Sequence, residues 1–184
     1  MNLEDAITRV IEGLSEIGVE YMLIGSFSSM YYSFPRSTTD ADFVVGRQDL
    51  GVVRLSTILG ERFKFDPQLS FETVGRSSKN EIEIKGTPFR IEIFRLTNEP
   101  FDQSRFERRR EIVLFGKQVW IPTVEDVIIQ KLIWDRPKDR DDVAGVIEAT
   151  RKSLDEDYLQ SWASRLSLTD ALLRASAPHD DSAG

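Results

Sequence analysis

At 184 residues, 40% hydrophobic and 30% charged, the chain is long enough for one domain with a genuine core and a small helical annex. Zero cysteines exclude disulfides and thiolate metal sites. Their absence and the acidic, amphipathic start MNLEDAITRV, unlike an export signal, lead us to expect a cytoplasmic protein. A formal charge of −7 speaks against a broad polyanion-binding surface. No run approaches the roughly 18 apolar residues of a membrane span, so no membrane partner is expected.

In chain order, Leu3 to Ile17 carries apolar residues at helical spacing. Asn2 and Asp5 read as a capping box and Gly18 as the stop. Tyr21 to Ile24 reads as a short buried strand running into a Gly25-Ser26 turn, followed by a short helix from Ser28 to Phe34 that Pro35 closes. Phe43 to Val45 reads as a strand, and Gln48 to Leu59 as an amphipathic helix. Gly60 to Lys79 gives no clear pattern. Asn80 to Lys85 and Phe89 to Leu96 alternate in polarity around Gly86-Thr87-Pro88, the signature of a hairpin. Glu111 to Ile121 reads as a second strand pair around Gly116-Lys117.

From Thr123 the pattern is helical: Val124 to Trp134, Asp141 to Arg151, Asp155 to Leu166 and Thr169 to Ala175. Asp139, Asp141 and Asp142 read as N-capping acids for the second of these helices. The expected architecture is α/β (α+β), a small mixed sheet flanked by helices. Residues 1–122 would form the core, 123–177 a helical C-terminal region, and 178–184 a tail. The basic cluster Arg105 to Arg110 reads first as a solvated helix face. Trp120, Trp134 and Trp162 read as packing residues. His179, the lone histidine, falls in the tail and leaves none for catalysis inside the fold.

The chemistry concentrates between Gly25 and Val45. On a strand, residues i and i+2 share a face, so Asp40 and Asp42 project together. Two carboxylates that close repel, and a divalent cation such as Mg²⁺ relieves the repulsion. A bare Asp-x-Asp at a strand start more often caps a turn or faces solvent. Three neighbours change the weight of that reading. Gly25-Ser26 sits between a strand and a helix N-terminus, where amides collect an anion. Arg36, Thr38 and Thr39 precede the aspartates as further donors. Glu92 on a later strand offers a third carboxylate, although a solvent-facing hairpin would account for it equally well. Glu83 is a weaker candidate for the same place.

Gly25-Ser26, thirteen residues, Asp40-Ala41-Asp42 and a third acid further on together resemble the nucleotidyltransferase superfamily of the polymerase-beta type. The wording IGSFSSMYYSFPRSTTDADFVV is most similar to AbiEii-like minimal nucleotidyltransferases of toxin–antitoxin and phage-defence loci. VEDVIIQKLIWDRPKDRDDV extends the likeness through Glu125, Asp126, Lys131, Arg136, Asp139 and Asp142. The resemblance covers Tyr21 to Val143.

It implies an NTP-dependent, pyrophosphate-releasing enzyme that moves an NMP group to an acceptor hydroxyl on a tRNA end, a protein side chain or a small molecule. A cognate antitoxin is an implied partner. Two Mg²⁺ ions would be held by Asp40, Asp42 and Glu92. Gly25 and Ser26, with Arg36 and Thr39, would bind the nucleotide. Lys131 would steady the leaving pyrophosphate, with Arg36 second, whereas without the resemblance Lys131 reads as a snorkelling lysine on a helix flank. Asp139 stands near the site in the implied arrangement. Glu92 departs from the family's usual aspartate by one methylene. The alternative expectation is therefore a catalytically weakened module that binds nucleotide or a partner.

Overall fold

The structure is a computed structural model that describes residues 1–46, 51–66, 68–72 and 77–177. Its chain divides into two compact units, Met1–Ser28 with Arg36–Thr123, and Ser29–Pro35 with the chain from Val124 onward.

The first unit begins with α1 (Leu3–Glu16), where Asn2 Oδ1 accepts from the Asp5 amide at 2.7 Å and Asp5 returns the bond. This is the capping box read from the sequence. Leu3, Ala6, Ile7, Val10, Ile11 and Leu14 are its buried stripe. Strand β1 (Tyr21–Ile24) then passes straight into α2 (Gly25–Tyr32). The helix therefore starts three residues before the Ser28 read from the pattern, and Gly25-Ser26 is its first turn rather than a turn ahead of it. Strand β2 (Asp40–Val45) likewise starts earlier than expected and takes both aspartates into the sheet.

Helix α3 (Val52–Leu59) packs on α1, close enough that a Cβ on Gly13 would lie 2.8 Å from Leu55 Cδ1. The start of the helix expected from Gln48 lies outside the described residues. The unpatterned stretch after Gly60 supplies β3 (Phe63–Phe65) and β4 (Ser70–Glu72), each too short to show a period. Strands β5 (Ser77–Ile84) and β6 (Arg90–Arg95) form the expected hairpin, closed where the Ile84 amide donates to Phe89 O at 3.2 Å.

Helix α4 (Pro100–Glu107) takes in only the first three residues of the Arg105–Arg110 cluster read as a helix face; Phe101, Arg105 and Phe106 are its buried residues, and no apolar stripe marks it. Pro100 at its first turn was the available signal. Strands β7 (Arg110–Leu114) and β8 (Lys117–Ile121) make the second expected hairpin. The basic cluster is partly internal. Arg105 donates to Asp102 at 2.9 Å, and Arg109 pairs with Glu20 at 2.8 Å while lying over Phe106 and Trp120.

The main sheet runs β1-β2-β6-β5-β3, with β4 also on β5. β2 pairs parallel to β6, while β1–β2 and β5–β6 are antiparallel. One face is apolar: Ala41, Phe43, Ile91, Ile93, Ile82 and Ile84 are almost wholly removed from water. Strand alternation turns Asp40, Asp42, Arg90, Glu92, Lys79, Glu81 and Glu83 to the opposite face.

The second unit holds α5 (Val124–Trp134), α6 (Pro137–Thr150), α7 (Glu156–Arg165) and α8 (Thr169–Ser176). Helix α5 is buried all the way from Val124 to Leu132. Its acids on that stretch take partners: Tyr158 Oη donates to Asp126 at 2.6 Å, and the Asp155 amide donates to Glu125 at 3.0 Å. Helix α6 starts at Pro137 rather than Asp141, so the acids read as caps lie inside it. Trp162 is buried in this unit as a packing residue. The tail and His179 lie outside the described residues. Among the described residues no helix is long and apolar enough to cross a membrane.

Candidate active site

The site grows from the end of β1. Gly25 takes a left-handed φ of +69° where the strand turns into α2, a conformation that disfavours a side chain. Space forbids one as well, since a Cβ there would stand 2.1 Å from Asp42 Oδ2. The Asp42 carboxylate therefore lies directly against the first residue of a helix. Such an end carries a partial positive charge. Ser26, the next residue, is buried, and its hydroxyl accepts from Arg36 Nη2 at 2.8 Å. Gly25, Ser26, Arg36 and Asp42 are thus brought together in the first unit.

Asp40 sits one pleat before Asp42 on the same face and is half-buried like it. Its entry is shaped by two threonines. The Asp40 amide donates to Thr38 Oγ1 at 3.3 Å, and Thr39 Oγ1 donates to Asp40 Oδ2 at 3.3 Å. Thr39 thus touches one of the two strand acids.

Glu92 lies directly opposite Asp42 in the parallel β2–β6 register, and Glu81 lies opposite Glu92 in the β5–β6 register. Three carboxylates so form one row across three strands. Lys79, two residues before Glu81 on β5 and opposite Phe94, borders that row. Its ammonium is 2.6 Å from Glu92 Oε1 and 3.0 Å from Glu81 Oε1, and its side chain is only 15% exposed. Burial pulls the Lys79 ammonium down, but its bonds to Glu92 and then Glu81 outweigh this and hold it above the usual lysine range. Neither Lys79 nor Glu81 was singled out in the sequence. Counting back along the hairpin from Ile84 opposite Phe89 would have placed Glu81 against Glu92. Glu83, the weaker candidate, points to the same face but pairs with Lys64 at 3.0 Å in an exposed position.

Lys131 belongs to the second unit and is only 3% exposed. It does not snorkel to water. Its ammonium is 3.0 Å from Asp139 and 2.6 Å from Asp142, and Arg136 Nε donates to Asp139 at 2.5 Å. Ser29 Oγ completes the cluster by donating to Asp142 at 3.4 Å. Burial pushes the Asp139 carboxyl up, but Arg136 and Lys131 more than reverse this and hold it below its ordinary value. Asp139 is not an N-cap: it sits at the third helical position, where its carboxylate accepts from the Arg136 amide at 3.3 Å.

Whether these acids suit a hard divalent cation follows from their partners. Among the described residues no three Asp, Glu or His side chains converge to cage an ion by themselves. Mg²⁺ asks for less, being held by one or two carboxylates with water and substrate phosphate. Asp40 and Asp42, half-buried on one rigid strand beside a helix N-terminus, meet that requirement. Glu92 meets it less fully, because one of its two oxygens, Oε1, already accepts from Lys79.

No protein-family model matches the chain, and no curated protein matches it. Solved structures do. An antigenic nucleotidyltransferase-like protein from Paracoccidioides brasiliensis superposes with a TM-score of 0.61 at 15% identity, over 95% of this chain and 91% of its own. The antibiotic-resistance factor ANT(2'')-Ia gives 0.58 at 13% identity, over 93% and 94%. The lincosamide antibiotic adenylyltransferase LnuA, solved with lincomycin bound, gives 0.54 at 13% identity, over 78% and 95%. At these identities the likeness is one of fold: the chain has a nucleotidyltransferase-like fold.

Proposed function

We propose that the protein is an NTP-dependent nucleotidyltransferase, moving an NMP group to an acceptor hydroxyl with release of pyrophosphate. One observation carries the reading. The Asp42 carboxylate is packed against Gly25 at the head of α2, so an acid pair and an anion-binding helix end form one site. A helix end invites phosphate, paired carboxylates repel it, and a cation between the two reconciles them.

In this reading the Gly25 and Ser26 end of α2 receives the β- and γ-phosphates. Arg36, tied to the Ser26 hydroxyl, balances the charge that builds on the leaving pyrophosphate. Lys131 keeps its place in the buried Asp139–Asp142 cluster, so the leaving-group role passes to Arg36. Thr39 steadies Asp40 so that both aspartates face the same phosphate. Asp40 and Asp42 would hold Mg²⁺, which supplies Lewis-acid polarisation of the phosphoryl oxygens when bound. Rigid mounting on β2, whose other face is buried core, fixes the acids without reorganisation.

The acceptor is a small molecule or a protein rather than RNA. A net charge of −7 and the internal commitment of Arg105 and Arg109 leave little positive surface for several phosphates. The likeness of Val124 to Val143 to AbiEii-like enzymes supports a toxin or defence role, with a cognate antitoxin as partner. A second reading, a nucleotide-binding module without turnover, draws on the Lys79–Glu92 pair, which engages the third acid.

The two readings separate with α-labelled ATP, GTP, CTP and UTP, Mg²⁺ and a cell lysate. The enzyme releases pyrophosphate and labels an acceptor, and Asp42→Asn abolishes both. Nucleotide binding without release or labelling supports the module instead.

A further inference from the structure

The row Asp42–Glu92–Glu81 crosses three neighbouring strands at one register, and carboxylates so close must be neutralised. Asp42 meets the head of α2. Glu92 and Glu81 meet Lys79, with its side chain 15% exposed and its ammonium 2.6 Å and 3.0 Å from them. The lysine is held there. Its strand lies in the middle of the β6-β5-β3 part of the sheet, and its ammonium sits 5.7 Å from the Phe94 ring centroid, Phe94 being its cross-strand partner. A fixed ammonium is a single charge with short reach, and here it engages Glu92 Oε1 and Glu81 Oε1 together.

We propose that Lys79 stands where a second cation would otherwise be needed, so that the site takes a single divalent ion, at Asp40 and Asp42. Glu92 is then an ion-pair partner rather than a metal ligand. The inference rests on the nucleotidyltransferase reading but goes beyond it.

The ion count decides it. Mn²⁺, in place of Mg²⁺, is titrated in the presence of saturating α,β-methylene-ATP and followed by electron paramagnetic resonance. The wild type should bind one ion per chain and give the spectrum of an isolated Mn²⁺. Glu92→Gln should still bind one, and Asp42→Asn none. Lys79→Met, which frees Glu92 and Glu81, should gain a second, weaker ion. Glu92→Gln retains the positive charge of Lys79 and tests the same point if Lys79→Met does not fold. Two ions in the wild type, with a coupled spectrum and one lost in Glu92→Gln, would overturn the inference while leaving the enzyme reading intact. No ion and no nucleotide bound in the wild type would overturn both.

Discussion

Gly25 and Asp42 constrain each other. A methyl group on Gly25 would overlap Asp42 Oδ2 at 2.1 Å, and the φ of +69° adds backbone strain. Gly25→Ala should therefore drive the carboxylate off its position. We expect nucleotidyl transfer to fall by at least about 100-fold, with stability reduced by about 1–3 kcal/mol. Activity and a urea melt on the same preparation check both. Glu83→Gln should leave turnover within about twofold of the wild type, because that acid pairs with Lys64 where both side chains are more than half exposed. A loss like that of Asp42→Asn would instead make Glu83 a third acid of the site.

At the scale of elements, the α5–α6 pair depends on buried charge. Lys131 lies between Asp139 and Asp142, all nearly inaccessible to water. Lys131→Met removes the buried ammonium that Asp139 and Asp142 share and should cost about 3–5 kcal/mol in a denaturant melt. The pH dependence follows from Asp139. Its folded carboxyl titrates below the ordinary 3.8, so its contribution is complete above that value and is lost as pH falls through the lower folded value. Stability measured from pH 5 downward should drop across this window (the range is set by that ordinary carboxylate value). In Asp139→Asn that drop should be smaller.

Elements with a full period were legible in the sequence. The α1 capping box, the alternating β5–β6 hairpin and the run of α5 were read from local pattern, because local physics fixes them. Strands β3 and β4 were not, since three residues show no alternation. Helix α4 was legible only in part, because its buried face includes an arginine. Of the site, the side-by-side aspartates and the Gly-Ser helix head were legible. The partners of Glu92 and Lys131 were not. A lysine's partner depends on cross-strand register or helix packing, and long side chains choose among several acids.

For the molecule as a whole, the charge balance sets what it meets. An acidic chain whose arginine cluster is half internal should bind bulk RNA weakly and with a shallow salt dependence. Filter binding at low and physiological salt should show no retention beyond that of a neutral control. Tight, strongly salt-dependent binding would move the acceptor back to RNA. The fold, shared with enzymes that act on other acceptors, does not choose the acceptor.

The central claim is that the acid pair of β2 and the head of α2 form one Mg²⁺–nucleotide site. Calorimetric titration of α,β-methylene-ATP with Mg²⁺ tests it most directly, run on the wild type, Asp42→Asn and Gly25→Ala. The account predicts saturable binding by the wild type that requires Mg²⁺ and is lost in both variants. Binding that persists without Mg²⁺, or equally in Asp42→Asn, would contradict it.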